Sequence, residues 1–196
     1  MNKQRPQLLY IVGVPGSGKT TLMQALTADA TRHLQQTVPF GLIWHEWGIR
    51  DSANTNGVWE LGASRAGFGG TDALGMSVQP KVVEWLAQQR PGRVIAEGDR
   101  LGNGKFFTSV TDLGYDLRIV VLEINEDVVA RRRVSRAAAL GVKEQNPTWL
   151  KGRTSKVAKL AEAWLDRIRF MDATQTPQSL AFQLRHDEPI FAGLGS

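Results

Sequence analysis

At 196 residues, 42% of them hydrophobic and 22% charged, the chain has the size and balance of one globular domain, 1–196, with a sizeable core. It has no cysteine, which excludes a disulfide framework and a thiolate metal site and fits a reducing cytoplasm. No apolar run approaches the length of a membrane span, residues 1–6 lack a signal peptide's apolar segment, and the net charge of +5 suits an anionic partner.

In chain order, the apolar run Leu8–Val12 predicts a first strand and Gly18–Ala30 a first helix. Phe40–Trp44 predicts a second strand. Residues 48–77 are rich in Gly, Asn, Ser and Asp without periodicity, and a connection of that length points to function. Val78–Gln89 predicts a helix stopped by Pro91-Gly92, Arg93–Ala96 a short strand and Lys105–Leu113 a helix. Leu117–Ile124 is the clearest buried strand, and Asn125 caps the helix Glu126–Leu140 that follows. Thr154 is expected to open a further helix, with Val157, Leu160, Ala161 and Trp164 on one face. Ile168–Met171 predicts a last strand, and Thr176-Pro177 caps a terminal helix, Pro177–Leu184. Strands alternating with helices predict a three-layer α/β/α fold around a central parallel sheet.

The most specific signal lies between the first strand and the first helix. Gly13-Val14-Pro15-Gly16-Ser17-Gly18-Lys19-Thr20 fits G-x-x-x-x-G-K-[ST] in its required strand–loop–helix setting, with Thr21 continuing into the helix. Glycines let successive N–H groups wrap an anion, and the helix start adds its positive dipole end. Lys19 is expected to reach the β- and γ-phosphates of a nucleoside triphosphate, and Thr20 to hold Mg²⁺.

A second signal is Val94-Ile95-Ala96-Glu97-Gly98-Asp99-Arg100. A short strand there delivers two carboxylates and an arginine to the carboxyl edge of the sheet, where open α/β sheets bind ligands. Glu97 is a candidate metal ligand or base, Asp99 a second acid and Arg100 a substrate-phosphate contact. A third signal is the arginine run Arg131–Arg136. Arg132 shares a helix face with Arg136, as does Arg133, and such arginines stabilise charge on a transferring phosphoryl group. Lys151, Arg153, Lys156 and Lys159 extend this positive region, giving a lid at about 131–156 and a contact surface for substrate phosphates. A fourth is the polar loop Asp172-Ala173-Thr174-Gln175-Thr176-Pro177, which joins the last strand to the terminal helix and offers backbone groups to an adenine, or is an ordinary helix-start turn.

Taken in this order, these elements resemble the P-loop kinases of nucleosides and nucleotides over nearly the whole chain. The resemblance implies ATP as donor, with Arg132 or Arg136 over it. The acceptor then falls to an insertion at about 45–77. Glu46, near the end of the second strand, competes with Glu97 as base. Trp44, Trp47 and Phe68 are candidates to sandwich a base, with core packing as the other reading, and Thr71 and Asp72 to read its edge. Gly70-Thr71-Asp72-Ala73-Leu74 together with Glu97–Arg100 is similar to a narrower group, bacteriophage kinases that phosphorylate 5-hydroxymethyluracil within DNA during thymine hypermodification. A deoxynucleoside monophosphate kinase acting on free nucleotides and a DNA-binding ATPase are the alternatives.

Overall fold

The computed structural model describes residues 5–35, 38, 40–48, 57–62, 69–141 and 146–194. Phe68 and parts of the acceptor segment, 49–56 and 63–68, lie outside the described residues.

Among the described residues there are seven strands and six α-helices, and the strands form one sheet in the order β2-β3-β4-β5-β1-β6-β7. They are β1 (Gln7–Gly13), β2 (Thr31–Gln35), β3 (Leu42–Glu46), β4 (Gly57–Leu61), β5 (Arg93–Glu97), β6 (Asp116–Glu123) and β7 (Ile168–Asp172). The helices, α1 (Lys19–Leu26), α2 (Val78–Gln89), α3 (Gly104–Asp112), α4 (Glu126–Leu140), α5 (Pro147–Ala163) and α6 (Pro177–Asp187), accompany the sheet. The layers follow from period-2 alternation along β1. Leu8, Tyr10 and Val12 face the core under α2, α3 and α5, with Val82, Phe106, Phe107 and Leu160. Leu9 and Ile11 face the opposite core with Leu22 and Leu26 of α1 and Leu180 and Leu184 of α6.

The sheet departs from an all-parallel one at β3. Pairing of β2 with β3 and of β3 with β4 is antiparallel, whereas β4–β5, β5–β1, β1–β6 and β6–β7 are parallel. β3 therefore runs against the other six strands. The first helix stops at Leu26, four residues before the predicted Ala30. There the Thr27 hydroxyl bonds back to the Met23 carbonyl at 3.0 Å and the chain turns into β2, a strand whose exposed residues carry no periodic signal. α5 starts at Pro147, not Thr154: the Asn146 side chain accepts from the Thr148 and Trp149 amides at 2.8 and 3.3 Å, with Pro147 in the first turn.

Candidate active site

β1 and β5 are neighbours in register, Ile11 opposite Glu97, so the phosphate loop and the acidic strand end leave the sheet side by side. In the loop Gly16 and Gly18 hold φ of +90° and +99°, a left-handed conformation that only glycine adopts without strain. A Cβ on Gly13 would stand 2.6 Å from Ser17 Oγ. The Ser17 hydroxyl is buried without a hydrogen-bond partner at the start of α1, a donor aimed into a concave backbone. Lys19 Nζ turns back on its own loop, donating to the carbonyls of Gly13 at 2.9 Å and Val14 at 3.4 Å. Burial holds its pKa below the ordinary lysine value, opposed by the charge of Glu97.

Thr20 Oγ1 donates to Glu97 Oε1 at 2.8 Å. Glu97 is 1% exposed. Burial raises its pKa, opposed by the Lys19 charge and the Thr20 hydrogen bond. A hydroxyl and a carboxylate in contact are hard oxygen ligands, the kind Mg²⁺ takes when nucleotide phosphates and water complete its shell. Among the described residues no three His, Cys, Asp or Glu gather as a metal site.

The acceptor-side turn Gly70–Ala73, a short 3₁₀ turn, is pressed onto this pair. A Cβ on Gly69 would meet Thr20 Cγ2 at 2.6 Å, and one on Gly70 would overlap Glu97 Oε1. Behind the turn, Tyr10 Oη donates to the Gly98 carbonyl and lies 3.0 Å from Thr71 Oγ1. Asp72 Oδ1 accepts from the amides of Asp99 at 2.7 Å and Arg100 at 3.0 Å, so this carboxylate braces the β5 strand end.

Asp99 is held from α5. Lys156 Nζ donates to its Oδ1 at 2.7 Å and its carbonyl at 2.9 Å, and Arg153 pairs with its Oδ2. Arg100 donates to Met76 Sδ, and its Nε is buried without a partner. On the donor side, Arg132 reaches the Ala173 carbonyl at 3.1 Å and the Ser17 carbonyl at 3.5 Å, joining the phosphate loop to the 172–177 loop. Arg133 packs over Gly16, and the charge of Arg136 is felt at Lys19. Within the 172–177 loop, the Thr174 amide and hydroxyl bond to Asp172 Oδ1 at 2.9 and 2.7 Å, Gln175 Oε1 accepts from Gln183 at 2.8 Å, and Pro177 opens α6 behind the Thr176 cap.

Three expected acceptor residues stand elsewhere, and one cause explains them. Because β3 is reversed, its carboxyl end lies at the edge opposite the phosphate loop: Glu46 pairs with Gly57, the first residue of β4. Glu46 is therefore far from the phosphate loop and from Glu97; it is buried and pairs with His33 at 3.3 Å. Trp47, just beyond it, is buried in the α1–α6 core, and its Nε1 donates to Asp29 at 2.9 Å. Trp44 packs on Trp59 with ring centroids 4.9 Å apart, as part of an aromatic wall with Trp85. Sequence reasoning missed Tyr10, whose one distinguishing sign is a phenol inside an aliphatic run, and Lys156 as the partner of Asp99.

A phosphate loop at the carboxyl edge of a three-layer sheet, with a carboxylate against its threonine and arginines over its glycines, defines a P-loop kinase. The P-loop nucleotide kinase3 family model matches residues 4–186, and the chain belongs to that family; it is an ATP-dependent kinase. No curated protein matches it. Among solved structures it is similar to an unliganded sugar kinase from Janibacter sp. HTCC2649, at 16% identity over 97% of this chain and 99% of the other, TM-score 0.49. It is also similar to a tunicamycin resistance protein from Deinococcus radiodurans, at 13% identity over 97% and 98%, TM-score 0.49. A gluconokinase from Sinorhizobium meliloti 1021 is similar at 15% identity over 92% and 90%, TM-score 0.44. At these levels no acceptor follows from the likeness.

Proposed function

We propose that the enzyme transfers the γ-phosphoryl group of Mg·ATP to the hydroxymethyl oxygen of 5-hydroxymethyluracil in DNA. The observation that carries this reading is the seam between Gly70–Ala73 and Glu97–Arg100. The two segments that resemble the DNA-base kinases are hydrogen-bonded to each other beside the phosphate loop. Charge supports a polyanionic acceptor: residues 131–159 hold nine Lys or Arg against a single Asp or Glu.

In this reading the phosphate-loop amides, Ser17 and Lys19 hold the triphosphate, and Thr20 supplies the protein's hydroxyl to Mg²⁺. When bound, the metal neutralises charge between the β- and γ-phosphates. The acceptor oxygen forms its bond to Pγ as the bond from Pγ to the ADP oxygen breaks. Glu97 accepts the hydroxyl proton, a task suited to a carboxyl whose pKa burial has raised. Arg132, against the phosphate loop, and Arg136, whose charge is felt at Lys19, supply positive charge to the transferring group. Asp99, already paired with two cations, serves as an anchor for the lid and leaves the base role to Glu97.

The test is transfer of radiolabel from γ-labelled ATP to DNA containing 5-hydroxymethyluracil, ordinary DNA, free 5-hydroxymethyl-dUMP, and a sugar acid such as gluconate. Label in the modified DNA alone is the expected result. Label in the free nucleotide but not in DNA moves the enzyme to the nucleotide kinases, and label in gluconate alone moves it to the sugar kinases. Lys19→Ala should lower transfer at least 100-fold with an unchanged circular dichroism spectrum.

A further inference from the structure

Trp149 has no place in the machinery above. It lies in the first turn of α5 and is 41% exposed. The Arg153 guanidinium sits 4.9 Å over its ring, one helical turn on. Arg153 also pairs with Asp99, two residues after Glu97. An accessible indole is thus tied by one guanidinium to the strand end that carries the reactive carboxylate. Of the other large exposed apolar residues described, the two aromatic ones, Phe170 and Phe182, lie on β7 and α6. On the same face of the helix, Lys156 lies two turns on and adds a second cation beside Asp99.

An exposed helix-surface aromatic beside cations is a stacking platform for bases. We propose that Trp149, backed by Arg153, stacks a base of the acceptor strand and thereby presents an unpaired or flipped-out nucleotide to Glu97. This rests on the reading of DNA as acceptor and adds two statements to it. The substrate is recognised as a single strand or through an everted base, and α5 is the surface that recognises it. A duplex acceptor must then give up stacking and pairing energy that a single strand does not.

The experiment measures steady-state phosphorylation of a single-stranded oligonucleotide with one 5-hydroxymethyluracil, of its duplex, and of free 5-hydroxymethyl-dUMP. The enzymes are wild type, Trp149→Ala, Trp149→Phe and, as a control, Phe182→Ala. Loss of one stacked base corresponds to a KM increase of about 5- to 150-fold. Trp149→Ala should show it for the single strand with the KM for ATP within about two-fold of wild type, Trp149→Phe should recover most of it, and Phe182→Ala should match wild type. Wild type should also have the lower KM for single strand than for duplex. An unchanged strand KM in Trp149→Ala, or a KM shift shared by ATP, overturns the proposal. If wild type uses only the free nucleotide, the DNA reading fails; the platform survives only if Trp149→Ala raises the nucleotide's KM.

Discussion

Tyr10 Oη and Thr71 Oγ1 lie 3.0 Å apart with both residues fully buried, and the phenol also donates to the Gly98 carbonyl at 3.0 Å. A phenol has one proton. With that proton on Gly98, the Thr71 hydroxyl must donate to Tyr10. The chain of three groups ties a central strand of the sheet to the acceptor-side turn and to the residue after Glu97. Burial raises the Tyr10 pKa, so the phenol stays protonated through the working range.

The first prediction follows from that chain. Tyr10→Phe leaves Thr71 and the Gly98 carbonyl buried with one fewer partner each, at a cost of about 1–3 kcal/mol. Thermal unfolding should move down accordingly. Turnover should fall several-fold further than ATP affinity, because the displaced group is the turn behind Glu97 and not the phosphate loop. Thr71→Val should cost about the same, and the double variant little more, since both break one network. Additive losses would mean that the two residues act separately.

The second concerns pH. The Glu97 carboxyl stands above its ordinary 4.5 in the free enzyme because burial disfavours its charge. As the proton acceptor it must be ionised. In the proposed mechanism activity should therefore fall about tenfold per pH unit below its pKa, and the acid limb of kcat/KM should lie above the usual carboxylate range. Glu97→Gln should lower turnover by at least 100-fold and flatten that limb. A profile with its acid limb at or below 4.5 would assign the limb to another group.

The third separates Trp47 from the acceptor. Asp29 accepts from Arg185 and from Trp47, whose ring lies 5.3 Å from the Arg185 guanidinium. The Arg185 hydrogen bond foremost, then that of Trp47, hold the Asp29 pKa below the ordinary 3.8. A depressed carboxylate stabilises the fold above its unfolded pKa, and that contribution is lost as pH falls through the folded value. Urea midpoints should therefore drop as pH falls below the ordinary 3.8 in wild type and drop less in Asp29→Asn. Trp47→Ala, which empties a buried indole site, should cost about 3–5 kcal/mol while leaving the acceptor KM unchanged.

How much of this was legible depended on whether the signal was local. The phosphate loop, the Asn125 cap and the Glu97 strand end each rest on a few adjacent residues, and they stand where the sequence puts them. The α5 start was also written locally, in Asn146-Pro147, but the apolar face begins only at Val157 and drew the reading to Thr154. Strand direction is different in kind. Nothing inside Leu42–Glu46 says which way it runs; that is decided by pairing with β4, whose five residues lie in a stretch of sequence rich in glycine and polar residues. The same holds for Tyr10, whose partners are 61 and 88 residues away.

The fourth prediction turns on that reversal. Glu46 pairs with Gly57, and Trp59, two residues further along β4, pairs with Val94. Glu46 is therefore level with the residue before β5 begins, five positions short of Glu97, or about 16 Å along the strands at 3.3 Å per residue. It also stands two strands away across the sheet, each step adding about 4.8 Å. No hydroxyl positioned at Glu97 reaches it. Glu46→Gln should therefore keep kcat and both KM values within about two-fold. Its effect should appear in stability alone, where the buried carboxylate loses its charge pairing with His33. A hundred-fold fall in turnover with an unchanged melting temperature would instead place a catalytic carboxylate at the far edge and contradict the direction of β3.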